Sequence, residues 1–214
     1  MSLVTVGAEL LSAKEKLQNF KNNVTVFGSA RIESSDPLYI DAYELGKKLS
    51  DSGYNVFTGG GPGVMSAANK GAYEGKSKSI GLNIELPKEQ SSNPYLDENI
   101  TFNYFFSRKV MLVKYSSACI YFPGGYGTAD ELMEVLTLMQ TRKMKKMPIV
   151  LYDSGFWNSL LSWIKLTVDK SYVNQEHFEL IRVVDSIEDI MNICLLYTSP
   201  SPRDISGSRM PSSA

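Results

Sequence analysis

The sequence predicts an α/β protein whose single domain is built on a doubly wound parallel sheet. Two observations support this fold class: short apolar runs alternate with helical patterns through residues 23–193, and three of the runs end in glycine-containing loops. Strands that alternate with helices are typical of βαβ units, which place their strands parallel in one sheet. Ligands bind beyond the carboxyl ends of such strands, so we expect all three loops to lie along one functional edge.

The predicted elements follow one another without a linker that would divide the domain. Residues 1–22 form an N-terminal helical segment, in which Leu10, Leu17 and Phe20 recur at helical spacing. The strands are rich in Val, Ile, Phe and Tyr, as expected of strands that helices cover on both faces. The predicted strands cover residues 24–27, 54–58, 79–82, 100–104, 118–122 and 148–151, and the helices between them cover residues 37–52, 64–74, 106–116, 128–142 and 157–169.

Composition and charge exclude several classes of function. The 214 residues are 43% hydrophobic and carry a net charge of −1, so we expect neither a nucleic-acid partner nor a membrane partner. No apolar run approaches the roughly 18 residues of a membrane span. The first residues lack the features of a secretory signal, and Cys119 and Cys194 are too few for a disulfide framework. We therefore expect a cytoplasmic protein.

The histidine and cysteine content also excludes common catalytic systems. His177 is the only histidine, and with two distant cysteines it does not suffice for a zinc site, a Ser-His-Asp triad or a Cys-His pair. We expect no metal and no cofactor. Any phosphate site has to be local, made by backbone amides and one or two cations.

Residues 194–214 differ in character from the rest of the chain. The segment is rich in Ser and Pro and resembles the translation of a sequencing-library adapter. The alternative is a natural disordered tail of the same composition. We favour the adapter because the match extends through the whole segment. We therefore predict that residues 194–214 are not part of the fold and that the native sequence breaks off near Ile193, in a helical pattern at residues 187–193.

The loop at residues 123–128, Pro-Gly-Gly-Tyr-Gly-Thr, joins the fifth predicted strand directly to a helix. Glycines let the backbone approach a ligand closely, and free amides at a helix start attract an anion. Three glycines in four positions favour a phosphate site over an ordinary tight turn. The loop at residues 59–63 has the same features. Neither loop matches G-x-G-x-x-G or G-x-x-x-x-G-K-[ST], which disfavours a typical NAD enzyme and an ATPase.

Arg108 and Glu131 are the candidate catalytic residues, and each has a simpler interpretation. Thr128 and Glu131 have the T-x-x-E spacing of a helix capping box, in which the glutamate bonds only the backbone of the cap residue. On spacing alone, capping and catalysis are equally supported. Arg108 begins a helix, where a charge is usually only solvated. It follows three aromatic residues at positions 104–106, however, and a guanidinium among rings can stack on one or pair with a carboxylate.

Two motifs resemble one known family. F-S-R-K at residues 106–109 and P-G-G-Y-G-T-A-D-E at residues 123–131 are similar to motifs of the LONELY GUY (LOG) family of cytokinin riboside 5′-monophosphate phosphoribohydrolases, proteins often called lysine decarboxylases. The resemblance covers roughly residues 24–193, and G-G-G-P-G-V-M at residues 59–65 is similar to the family's second glycine motif. It implies a Rossmann-like homodimer that hydrolyses the N-glycosidic bond of a nucleoside 5′-monophosphate.

The resemblance also implies a set of site residues. Arg108 and Glu131 match residues that are essential to catalysis in the family. Residues 81–87 and 104–106 resemble bacterial-type members more than plant members, so the substrate is either a cytokinin riboside 5′-monophosphate or a common nucleotide such as AMP. The positions that match residues around the substrate are Lys109, Gly124, Gly125, Tyr126, Gly127, Thr128, Thr137, Gly60, Gly61, Met65 and Glu89.

The expected chemistry places Glu131 at the ribose. Cleavage of the C1′–N bond builds positive charge on the sugar, which a carboxylate stabilises while it orients or deprotonates the attacking water. Arg108 either holds Glu131 ionised or contacts the substrate. The sequence offers no evident donor of a proton to the leaving base.

Two other functions compete with hydrolysis. A non-catalytic sensor or carrier that binds a nucleotide or a cofactor needs the glycines but not Glu131. A pyridoxal-phosphate lysine decarboxylase needs a Schiff-base lysine in a much larger fold.

Overall fold

The computed structural model describes residues 3–85 and 92–198, and its strands and helices alternate as the sequence predicts. The fold class is confirmed: this part of the chain is one Rossmann-like α/β domain with a doubly wound parallel sheet. Its strands are β1 (Asn23–Phe27), β2 (Asn55–Thr58), β3 (Ser79–Ile84), β4 (Glu98–Phe102), β5 (Ala118–Tyr121), β6 (Ile149–Tyr152) and β7 (Ile181–Val184). Its helices are α1 (Leu3–Leu17), α2 (Pro37–Asp51), α3 (Val64–Tyr73), α4 (Phe105–Lys114), α5 (Tyr126–Gln140), α6 (Ser154–Asp169), α7 (Gln175–Phe178) and α8 (Ile187–Thr198).

The described strands form one sheet in the order β4-β3-β2-β1-β5-β6-β7, and every neighbouring pair is parallel. The chain begins at the centre with β1, builds outward to β4, and then returns to the other side of β1 with β5. The strand order therefore reverses between β1 and β5, the position at which doubly wound sheets bind ligands. Phe27 pairs with Tyr121 at the ends of these two strands, so the loops that follow them emerge side by side.

The central strands are buried on both faces, and their side chains alternate between two hydrophobic clusters. Phe27 and Tyr121 belong to the cluster formed with α1, α4, α5 and α6, and their rings stack with centroids 4.8 Å apart. Val26 and Ile120 belong to the cluster formed with α2, α3 and α8. A slip of one residue would exchange the two clusters, so packing on both faces fixes the register of β1 on β5. The loops at their ends therefore start from rigid positions.

Several features of the described fold differ from the sequence-based expectation; α6, for example, begins at Ser154, three residues before the predicted start. β7 and the short α7 were not predicted, because β7 is a four-residue edge strand in which Ile181 is buried but Arg182 and Val183 are exposed. α5 begins at Tyr126, two residues before the predicted start at Thr128. Among the helices of the described residues, none combines the length and the apolar character that crossing a membrane requires.

α8 extends beyond the boundary that the sequence predicts at residue 194. Cys194 is 1% exposed and belongs to the cluster on the α2 side of the sheet. The Tyr54 hydroxyl donates to the Cys194 carbonyl oxygen at 3.4 Å. The helix continues because Cys194 is small and apolar enough to pack in the core. Residues 199–214 lie outside the described part of the chain, and the origin of residues 194–214 stays a prediction.

Candidate active site

A cavity of about 870 Å³ opens at the carboxyl ends of β1 and β5. Its walls come from residues 28–31 after β1, residues 124–129 after β5, Glu131 of α5, Arg108 of α4 and the first turns of α6. This volume is typical of sites for small molecules. The cavity therefore lies at the point where the strand order reverses.

α5 begins at the cavity wall, with Gly125 as its N-cap residue. The first hydrogen bond of α5 joins the Ala129 amide to the Gly125 carbonyl oxygen at 3.1 Å. The amides of residues 126–128 therefore have no acceptor within the helix. These donors and the helix dipole favour an anion. A methyl group added at Gly125 or at Gly127 would meet no atom within 4 Å, so the missing side chains leave open space beside the amides.

The loop after β5 is braced by the loop after β1. The Ser29 amide donates to the Pro123 carbonyl oxygen at 3.0 Å, and the Ser29 carbonyl oxygen accepts from the Val64 amide at 2.9 Å. A Cβ at Gly124 would lie 2.2 Å from the Thr128 hydroxyl oxygen and 3.1 Å from the Ser29 amide nitrogen. Glycine is therefore needed at position 124 for close packing. Ser29 thus connects the ends of β1 and β5 with the start of α3.

Arg108 of α4 and Glu131 of α5 meet inside the cavity, and both helices pack on the same face of the sheet. Arg108 Nη2 lies 3.3 Å from Glu131 Oε1, and the two side chains are only 13% and 12% exposed. The guanidinium also lies over the Phe105 ring, 5.2 Å from its centroid. Arg108 Nε is buried and has no hydrogen-bond partner among the described residues. Both predicted catalytic side chains are therefore held in place, and the buried Nε–H of Arg108 lacks a protein acceptor among the described residues.

Burial dominates the electrostatics of this pair. Loss of hydration raises the pKa of Glu131 to about 7, while the nearby Arg108 charge acts in the opposite direction. Burial likewise lowers the pKa of Arg108, against the attraction of Glu131. Arg108 remains charged, since a guanidinium does not lose its proton near neutral pH. Glu131, in contrast, exchanges between its acid and carboxylate forms in the range where a general base is useful.

The capping-box interpretation of Thr128 and Glu131 is wrong. The N-cap residue of α5 is Gly125, which has no side chain to cap the helix, and no capping bond from a side chain is present among the described residues. Thr128 is the third residue inside the helix, so Glu131 lies too far along α5 to reach back to a cap residue. Its carboxylate contacts Arg108 instead. The spacing alone could not decide this, because the helix start depends on the backbone conformation of Gly125.

Six predicted substrate residues line the same cavity as Arg108 and Glu131. Tyr126 is 98% exposed at the cavity mouth. The others are Gly124, Gly125, Gly127, Thr128 and Met65.

Lys109 lies beside the cavity and does not line it. Lys109 Nζ is 2.9 Å from Asp130 Oδ2 and 2.9 Å from Glu134 Oε2. These ion pairs join α4 to α5 next to the catalytic candidates. Substrate contact by Lys109 stays a prediction.

Four other predicted residues are not placed at this cavity. Thr137 lines a separate cavity of about 380 Å³ between α5 and α6, and its hydroxyl donates to the Met133 carbonyl oxygen at 2.7 Å. Gly60 has a φ of +71° and lies against Asn83, and the Gly61 carbonyl oxygen accepts from Asn93 Nδ2 at 3.1 Å. Gly60 therefore has a structural reason for its residue type, whereas the bond to Gly61 involves only its backbone. Glu89 lies outside the described residues.

The cavity also includes residues that sequence reasoning missed. Arg31 and Ser29 enter from the loop after β1, and Phe156, Trp157 and Leu160 enter from α6. The loop at residues 28–31, Gly-Ser-Ala-Arg, is the third of the glycine-containing loops that the sequence predicts at strand ends, but its place in the site depends on β1 lying next to β5. No local signal marks the α6 residues, because their position depends on how α6 packs back onto the sheet.

Together, these features define a Rossmann-like protein with free amides at a helix N-terminus and a buried acid in the same cavity. The family model described as "Possible lysine decarboxylase" matches residues 65–194. The chain belongs to this family, the LOG family.

Named relatives of the chain are plant proteins. The cytokinin riboside 5′-monophosphate phosphoribohydrolase LOG of Oryza sativa subsp. japonica is 31% identical over 171 residues, which are 78% of this chain and 69% of the relative. The cytokinin riboside 5′-monophosphate phosphoribohydrolase LOG3 of Arabidopsis thaliana is 31% identical over 173 residues, which are 78% of this chain and 79% of the relative.

A solved structure shares the fold. The molybdenum cofactor binding protein from the phototrophic bacterium Rippkaea orientalis matches with a TM-score of 0.64 and 23% identity, covering 85% of this chain and 99% of that chain. At this identity the likeness concerns the fold alone.

Proposed function

We propose that this protein hydrolyses the N-glycosidic bond of a nucleoside 5′-monophosphate and releases the free base and ribose 5-phosphate. One observation carries the proposal: the buried Glu131 carboxylate, paired with Arg108, lines the same cavity as the free amides at the start of α5. A site that only binds a nucleotide gains nothing from a buried acid, because burial disfavours its charge. The activity named for the plant relatives supports the same reaction.

In this proposal the phosphate binds at the amides of residues 126–128 and fixes the ribose. The binding energy of the phosphate, which does not react, is then used to orient the sugar carbon C1′. The open space at Gly125 and Gly127 admits the phosphate oxygens. Glu131 follows one turn later on the same helix, so the sugar lies between the phosphate loop and the carboxylate.

Glu131 in its carboxylate form accepts a proton from the attacking water and stabilises the positive charge that develops on the ribose. The water oxygen bonds to C1′, the electrons of the C1′–N bond leave with the base, and the base takes up one proton. Arg108 fixes the orientation of Glu131 through the contact between Nη2 and Oε1. Since an arginine keeps its proton, it does not protonate the base.

AMP and cytokinin riboside 5′-monophosphates are the substrates that we propose. The phosphate and ribose lie at the α5 end of the cavity, which leaves the α6 end for the base. Phe156 and Leu160 make this end apolar, and Phe156 is 47% exposed toward solvent. A flat purine, with or without an apolar substituent, suits such a surface.

The decisive experiment is to incubate the protein with AMP, GMP, CMP and isopentenyladenosine monophosphate and to measure the released base by chromatography. Glu131→Gln should keep nucleotide binding, measured by calorimetry, but lose on the order of 100-fold or more in rate. Glu44→Gln, the same substitution at an exposed position of α2, serves as the control and should be fully active. Binding of a nucleotide without release of base from any of the four would favour a carrier or sensor instead.

We also propose that the protein is a homodimer in the cytoplasm that does not bind nucleic acid. Apolar side chains are exposed on α4 beside the cavity, with Phe105 at 55%, Phe106 at 44% and Val110 at 45%. A second copy of the chain would cover this surface. Light scattering of the purified protein tests the dimer: a monomer mass would contradict it.

A further inference from the structure

The charges that line the described part of the cavity do not balance a phosphate. Three charged side chains are present there: Arg31, Arg108 and Glu131. Arg108 and Glu131 lie 3.3 Å apart, and in its carboxylate form Glu131 offsets the charge of Arg108. A phosphate monoester bound at the α5 amides brings up to two negative charges, which the helix dipole only partly compensates. The remaining cation is Arg31.

Arg31 lies at the cavity mouth on a braced loop. The Arg31 amide donates to the Ser29 hydroxyl oxygen at 3.1 Å. Ser29 in turn is bonded to the loops that precede α5 and α3, through Pro123 and Val64. The backbone at position 31 is therefore fixed with respect to the α5 N-terminus, while the side chain is exposed and forms no ion pair with any described residue.

We propose that Arg31 is a second phosphate-binding group of this site. Its guanidinium closes over the phosphate from the β1 side while the amides of residues 126–128 hold it from the α5 side. A guanidinium fork matches two phosphate oxygens at once, which a backbone amide or a lysine does not do. Arg31 thereby makes the site selective for 5′-monophosphates over nucleosides. The inference rests on the proposed function and adds a specificity-determining residue to it.

The test compares Arg31→Gln with the wild-type protein in AMP hydrolysis. Because Arg31 contacts the phosphate, which holds the substrate and orients the ribose, we expect KM to rise about tenfold or more, with any loss in kcat smaller than the rise in KM. The affinity for ribose 5-phosphate should fall by a similar factor. Arg31→Lys should recover part of the loss. Since the contact is exposed, added NaCl should raise KM more in the wild type than in Arg31→Gln.

Arg142→Gln is the matched control, because Arg142 is exposed after the end of α5 and does not line the cavity. It should behave as the wild type. An unchanged KM and an unchanged ribose 5-phosphate affinity in Arg31→Gln would overturn the inference and leave the hydrolase proposal intact. If no base is released, calorimetry of AMP with both proteins still tests Arg31. Equal affinity in the two proteins would refute its role, and weaker binding by Arg31→Gln would support it.

Discussion

Arg108 and Glu131 form a close ion pair in which the carboxyl nevertheless keeps a pKa of about 7. Their attraction lowers this pKa, but burial in the cavity raises it by more. The pair therefore combines an arginine that stays charged with a carboxyl that titrates near neutral pH, unlike a salt bridge that is ionised throughout this range. Functional carboxyls often have such perturbed pKa values. Four predictions follow from the pair, from the glycine loop beside it and from the end of the chain.

The rate should depend on pH through Glu131. Only the carboxylate form accepts a proton from water, so kcat/KM for AMP should rise with pH and reach half of its maximum at about 7. The phosphate of AMP also titrates, near pH 6. Ribose 5-phosphate binding measured over the same pH range separates the two effects. A profile that is flat or falls between about pH 6.5 and 8 would contradict the assignment of Glu131 as the base.

Arg108→Lys should impair hydrolysis even though it preserves the charge. An ammonium cannot replace the planar fork that contacts Glu131 and lies over Phe105. We expect kcat/KM to fall by at least about tenfold with little change in melting temperature. Arg142→Lys makes the same exchange outside the cavity and should be neutral. Full activity of Arg108→Lys would show that only the positive charge matters.

Gly127→Ala should stabilise the fold but weaken the binding of phosphate. Gly127 lies in the first turn of α5 and an added methyl group meets no atom, so alanine should raise the free energy of unfolding by about 0.5–1 kcal/mol. The same methyl group occupies the space beside the amides, so the affinity for ribose 5-phosphate should fall by about tenfold or more. Chemical denaturation and calorimetry measure the two effects.

Gly124→Ala is the contrasting variant, because its Cβ would lie 2.2 Å from the Thr128 hydroxyl oxygen. It should lower the melting temperature, whereas Gly127→Ala should not. If both alanine variants bind ribose 5-phosphate as tightly as the wild type, the phosphate does not bind at the start of α5.

Truncation at two positions should show that the end of α8 contributes to the stability of the fold and that the residues after Thr198 do not. A protein that ends at residue 198 should melt at the same temperature as the full chain. A protein that ends at residue 193 loses the buried Cys194 side chain and the bond from Tyr54, so it should melt several degrees lower. A large loss of stability on removal of residues 199–214 would argue against their origin as a translated adapter.

The sequence predicts the fold class and six of the seven described strands, β1 to β6, because apolar strands and helices alternate regularly. It does not reveal β7, since an edge strand with Arg182 and Val183 exposed lacks a continuous apolar run. The start of α5 is also missed by two residues, because Gly125 caps the helix without a side-chain signal.

The candidate site is predictable where its residues are close in sequence. The loop at residues 123–128 and Glu131 belong to one motif, and the structure places them in one cavity with Arg108. Arg31 and Phe156 are distant in sequence and enter only through the order of the strands and the packing of α6. Thr137 illustrates the opposite case: it lies on the same helix as Glu131 but faces a different cavity.

The bracing of Ser29 against Pro123 and Val64 ties the pocket to the whole domain. Its walls come from segments more than a hundred residues apart, so no isolated fragment of the chain can assemble it. A ligand that binds in the pocket should therefore raise the free energy of unfolding of the whole domain. The increase grows with the logarithm of the ligand concentration once this exceeds the dissociation constant. In a thermal-shift screen of small phosphorylated metabolites, a rise in the melting temperature of the domain would identify those that bind in the pocket.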